Sequence, residues 1–131
     1  MATITPTEVA TGITGLRCVK WEGINANTSD VGAPAYIAGA EDLILYCTVT
    51  DASASAAWVW EMSPEPTPAD ANYFTLMTST NAAITPTSLT AIGKSAGIVV
   101  GSRGLWLRFR VSTPGADAGA VTLYAMWRMA K

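Results

Sequence analysis

The 131-residue chain contains no histidine and only two cysteines. Without histidine it lacks the commonest general base and the commonest transition-metal ligand, and with them the Ser-His-Asp and Cys-His nucleophile arrangements. Cys18 and Cys47 are not in Cys-x-x-Cys spacing, so a zinc ion would be short of ligands. No glycine-rich phosphate loop follows a strand and opens a helix. Glu41 and Asp42 are adjacent acids, but neighbours on a strand point to opposite faces, and the pair reads as a solvated strand entry. Asp30, Asp51, Asp70 and Asp117 sit in turn contexts, where aspartate bonds its own backbone, and no regular calcium-ligand spacing appears. No enzyme activity, cofactor or metal site is expected.

Charge is scarce as well. Only 14% of residues are charged, and eight Lys and Arg are scattered among ten Asp and Glu for a net charge of −2. There is no basic field able to neutralise phosphates, so no direct nucleic-acid contact is expected. No apolar run reaches the roughly 18 residues of a membrane span, and no membrane association is expected either. The opening Met-Ala-Thr-Ile-Thr-Pro-Thr-Glu has neither the basic nor the apolar region of a secretion signal, which predicts synthesis and folding in the cytoplasm. Thiols stay reduced there, and Cys18 and Cys47 are expected as small buried hydrophobes. Trp21 lies near Cys18, but the cysteine spacing is short for an immunoglobulin framework.

What the chain does have is apolar residues with a period of two. Half of its residues are hydrophobic, and its length suits one domain. Residues 1–15 are rich in threonine, carry Pro6, Gly12 and Gly15, and show no sustained period. They read as an extended N-terminal arm, expected to order only against a neighbouring subunit, with residues 16–131 forming a single domain. Strands are predicted over 16–21, 35–37, 42–50, 57–62, 105–111 and 121–128, with shorter candidates at 74–77, 83–85 and 97–100. Pro64, Pro66 and Pro68 remove amide donors and fix φ, so the segment ending at Asp70 must be an ordered loop or insertion. No helical stripe of three turns occurs. Short strands with turn signals about every ten residues predict an all-β fold, an antiparallel β-sandwich of plain or jelly-roll topology.

The last two strands carry two good faces instead of one. Leu107, Phe109 and Val111 alternate with Trp106, Arg108 and Arg110. Val121, Leu123, Ala125 and Trp127 alternate with Tyr124, Met126 and Arg128. Leu107 and Leu123 are expected in the core, as are Trp58, Trp60 and Trp127, which share faces with apolar neighbours. If residues 114–119 close a hairpin, then Trp106, Arg108, Arg110, Tyr124, Met126 and Arg128 form one surface. Trp, Tyr, Met and Arg are enriched at interface cores, so that surface is the candidate partner-binding site. The plainer reading is a solvated face with arginine stems lying over the rings.

Several blocks together resemble the small capsid-decorating, or cement, proteins of tailed bacteriophages. They are Lys20-Trp21-Glu22-Gly23-Ile24 followed by Asp30-Val31-Gly32-Ala33-Pro34; Trp60-Glu61 leading to Tyr73-Phe74-Thr75-Leu76; and Leu105-Trp106-Leu107-Arg108-Phe109-Arg110-Val111 with a Gly/Asp turn before residues 121–128. The 64–70 loop departs from the pattern in being richer in proline than the Gly/Asn/Asp turn expected there. The resemblance implies a virion structural protein on the exterior of an icosahedral head. Its partner would be the major capsid protein, whose neighbouring subunits it bridges, with a second copy of itself as a further partner. A neck, tail or fibre-base component is an alternative within the virion. A carbohydrate-binding sandwich, with Trp106 and Tyr124 stacking on sugar rings, is an alternative from a different class.

Overall fold

The structure, a computed structural model, describes residues 2–38, 40–51, 56–76, 93–99 and 105–129. Eleven strands occur among them: β1 (Thr3–Ile4), β2 (Thr7–Val9), β3 (Leu16–Ile24), β4 (Val31–Gly32), β5 (Ala35–Tyr36), β6 (Ala40–Asp51), β7 (Ala57–Ser63), β8 (Phe74–Thr75), β9 (Gly93–Val99), β10 (Trp106–Thr113) and β11 (Ala120–Met129). A single 3-10 turn, Asp70–Asn72, interrupts the proline-rich loop. The expected strand over 83–85 lies outside the described residues, as do Met77 and Val100 at the ends of two others.

The strands form two sheets. The first has the order β1-β4-β10-β7-β8, with β5 also paired to β10; the second has the order β2-β3-β11-β6-β9. All pairings are antiparallel except β1 with β4. The chain is an all-β sandwich, as its period-two alternation requires.

One face of each sheet turns inward. Leu107, Phe109 and Val111 of β10 and Trp58 and Trp60 of β7 are buried from the first sheet; Trp21, Leu43, Leu45, Val49, Leu123 and Trp127 are buried from the second. At the centre, Trp21 meets Trp60 and Phe109 edge to face at 5.8 and 5.9 Å, and Trp58 meets Phe109 at 5.6 Å. Such T-shaped contacts align the positive edge of one ring with the negative face of another. The Trp21 indole N–H donates to the Ala33 carbonyl at 3.0 Å, which satisfies its polar atom within this apolar cluster. Gly32 makes the close approach possible, since a Cβ there would lie 2.7 Å from the Phe109 ring and 3.0 Å from Trp21 Nε1. In β3 an extra residue opposes β11 between Ile24 and Trp21, and Gly23 takes up this bulge with φ of 71°.

Cys18 and Cys47 are both buried thiols and form no disulfide. Cys47 pairs in register with Leu123 and Cys18 with Met126, on opposite faces of the second sheet.

The first fifteen residues expected as an arm belong in part to the chain's own sheets. Thr3–Ile4 runs parallel to Val31–Gly32 in the first sheet, and Thr7–Val9 pairs with residues 18–20 in the second. The segment thus passes from one sheet edge to the other, held by backbone bonds from Val31 N to Ala2 O and from Ala33 N to Ile4 O. Asp30 anchors it. This fully buried carboxylate accepts from the Ala2 amide at 3.0 Å, the Asn25 amide at 3.0 Å and the Thr28 hydroxyl at 2.6 Å.

The expected hairpin between β10 and β11 does not form. β10 pairs with β7 and β11 pairs with β3 and β6, so residues 114–119 cross from one sheet to the other. Ala26 fixes the crossing, because Gly115 N donates to its carbonyl and its amide donates to Ala118 O, at 2.8 and 2.7 Å. The physical reason is that both strands have strongly apolar inner faces. Placed on opposite sides of one core, those faces cover each other.

Candidate partner-binding surfaces

The crossing divides the six residues expected to form one surface. Trp106, Arg108 and Arg110 lie on the outer face of the first sheet; Tyr124, Met126 and Arg128 lie on the outer face of the second, on the other side of the sandwich. Trp106 and Tyr124 therefore cannot stack on one sugar ring, which removes the geometry of the carbohydrate reading.

On the first sheet, the loop between β7 and β8 folds back over β10. Glu61 stands directly opposite Arg108 on β7. Its Oε1 accepts from Nε of Arg108 at 2.9 Å and from Nε of Arg110 at 3.2 Å. From the loop, Asp70 Oδ1 accepts from Nη2 of Arg108 and Arg110 at 2.8 and 2.6 Å. Two guanidinium groups and two carboxylates thus form a closed, neutral set, and the ring of Tyr73 covers the Arg108 guanidinium. The Arg108 side chain is left only 7% exposed, whereas Asp70 remains 74% exposed. Hydrogen bonding from Arg108 and then Arg110 holds the Asp70 carboxyl below the usual range. Burial disfavours charge on Arg110, but Glu61 and Asp70 outweigh it and hold the guanidinium more firmly protonated. Arg108 and Arg110 are thereby committed to holding their own loop.

Trp106 is tied to the same loop, its indole N–H donating to the Pro66 carbonyl at 3.1 Å. Its ring meets Tyr36 edge to face at 4.8 Å, in register across β10 and β5. Tyr36 is 54% exposed, and Phe74 on the edge strand β8 is 63% exposed. Tyr36 was absent from the sequence-derived set, although the signal that singled out Trp106 applies to it. It is an aromatic residue facing away from the core between the buried Ala35 and Ile37. Asp70 and Tyr73 gave no such signal, because their role depends on a loop returning across the sheet.

The second sheet's outer face has a different chemistry. Across β11 and β6 the register sets Thr122 opposite Thr48, Tyr124 opposite Tyr46 and Met126 opposite Ile44, all half-buried. Lys20, next to Tyr124 on β3, pairs with Glu22 at 2.8 Å. At the rim, Arg17 bonds Glu8 at 2.7 Å and lies over the Trp127 ring. Among the described residues, no three metal-ligating side chains are grouped together, and no helix is long and apolar enough to cross a membrane.

These features define a two-layer β-sandwich with one outer face strapped by the loop between β7 and β8. The fold is similar over its whole length to a chain in the capsid of Ralstonia phage GP4, with 12% identity, a TM-score of 0.62 and 99% of each chain covered. It is also similar to the K2 cleaved adhesin domain of Lys-gingipain, with 12% identity, a TM-score of 0.53, and 96% of this chain and 84% of that one covered. No family model and no curated protein matches the sequence.

Proposed function

We propose that the chain is a non-enzymatic virion protein that decorates the exterior of a phage head and bridges neighbouring major capsid subunits. The observation that carries this reading is the match in fold and in length to a chain of a phage capsid, 99% of both being covered. The physics of such a role is additive. Separation of two bridged subunits must break both contacts of the bridging protein, and repetition around a shell multiplies a modest contact.

The contact we assign to the capsid is the aromatic pair Tyr36 and Trp106. Tyr36 is exposed and rests on the half-buried Trp106, and large aromatics seated beside a rigid strand are the usual anchors of interfaces. Arg108 and Arg110 serve this contact indirectly, by fixing the loop against which Trp106 is held.

Two measurements test the reading. Quantitative mass spectrometry of purified virions should find the chain in hundreds of copies; about a dozen would indicate a neck, tail or fibre-base component instead. Tyr36→Ala should lower occupancy on heads by at least tenfold without a change in melting temperature. Undiminished attachment of this variant would remove the assigned contact.

A further inference from the structure

From the outer face of the second sheet we infer a homodimer, in which this face packs against the same face of a second copy. Two adjacent strands of this face match each other's rotated image. Its central strands β6 and β11 carry the same residue type at each level: threonine at Thr48 and Thr122, tyrosine at Tyr46 and Tyr124, and a long aliphatic chain at Ile44 and Met126. A two-fold axis running along the strands, between β6 and β11, lays each strand over the other strand of the partner. Tyr46 then meets the partner's Tyr124, Ile44 the partner's Met126 and Thr48 the partner's Thr122, with every contact made twice. The side chains keep the strand direction in common, which is the aligned packing that twisted sheets prefer.

Charge and area both favour this occupant. Lys20 is neutralised by Glu22 on its own strand, so two copies meet across this region without like-charge repulsion. The sheet has five strands and its central strand has ten residues. At about 4.8 Å between strands and about 3.4 Å per residue the face measures on the order of 700 Å², close to the roughly 800 Å² per partner of a stable interface. The other outer face is unsuited to such stacking, because the loop joining β7 to β8 projects from it. The inference stands apart from the capsid reading, since Tyr36 and Trp106 lie on the opposite sheet.

The test uses the purified full chain, without heads. Sedimentation equilibrium should show a dimer for the wild type. Ile44→Lys and Met126→Glu should each weaken dimerisation by at least a hundredfold, because each buries two unpaired charges in a homodimer. Mixing the two variants should restore a dimer, since the two-fold axis places the introduced ammonium of one against the introduced carboxylate of the other. The corresponding pair Thr48→Lys and Thr122→Glu repeats the test one level along the strands, should either of the first variants fail to fold. A monomeric wild type at about 100 μM overturns the inference, as does a dimer that neither variant weakens. Failure of the mixture to recombine, with both variants folded, overturns the two-fold arrangement. A monomeric wild type whose Ile44→Lys variant no longer attaches to heads would assign this face to the capsid instead.

Discussion

The guanidinium carbon of Arg108 lies 3.7 Å from the centroid of the Tyr73 ring. Tyr73 belongs to the loop that leaves β7 and returns as β8, so this contact clamps a long connection onto the central strand of the first sheet. Arg108 is held from the neighbouring strand by Glu61, and from the loop side by Asp70. An arginine on the outer face of a strand is in this way enclosed by its own chain. Burial pushes the Tyr73 phenol up, which keeps that ring neutral over the cation.

Truncation of Arg108 should therefore cost stability before it costs binding. Arg108→Ala leaves Glu61 with Arg110 alone, and loss of one partner from a buried ion pair typically costs about 3 kcal/mol. Urea denaturation should report a loss of that order, with little dependence on salt. A change within error would show that the loop is held by its backbone contacts instead.

Acid should loosen the same loop and the N-terminal segment. The carboxyls of Asp70 and Asp30 are both held below their usual range. At Asp70 the arginines are responsible. At Asp30 burial pushes the other way but is outweighed by the Thr28 hydroxyl and the Asn25 and Ala2 amides. A carboxyl depressed in the folded state contributes stability that is complete above its unfolded value, about pH 4, and is lost as pH falls through the lower folded value. Melting temperature should fall below about pH 4, and Asp70→Asn should make that fall shallower. Because Asp70 is mostly exposed, its share should also shrink in high salt.

Gly32 should tolerate no side chain. In Gly32→Ala the added methyl would collide with Phe109 and with Trp21 Nε1, whose positions are fixed by the packed core. Overpacking of this kind costs about 1–3 kcal/mol. Thermal denaturation should show that loss, and Phe109→Leu in the same chain should recover part of it.

Removal of residues 1–9 should lower the stability of the isolated protein. It takes away β1 and β2 and leaves Asp30 without the Ala2 amide. A drop in melting temperature of several degrees is expected, with amide exchange accelerating first at Val31 and Ala33, which lose their acceptors. A truncated chain as stable as the parent would show that the segment only lies on the sheets without supporting them.

Leu107→Ala and Leu123→Ala should each cost about 2–5 kcal/mol, since both side chains are fully buried, one from each sheet. Because the two residues line one core, their combined loss in the double variant should depart from the sum of the single losses.

The class of fold and the inward residues were legible in the alternation of the chain. Alternation in β6, β10 and β11 is a local property of a pleated chain, and it correctly assigned Leu107, Leu123, Trp58, Trp60 and Trp127 to the interior. It also assigned Trp106 and Tyr124 each to an outer face. Whether those outer faces are one surface or two depends on how the strands pair, because alternation states which way a side chain points and not which strand lies beside it. A six-residue connection at 114–119 serves a hairpin or a crossing equally well, and the choice fell to the crossing when Ala26 fixed that segment. The enclosure of Arg108 by Tyr73 and Asp70 was equally beyond the sequence. It joins residues more than thirty positions apart, through a loop whose prolines announce order but not direction.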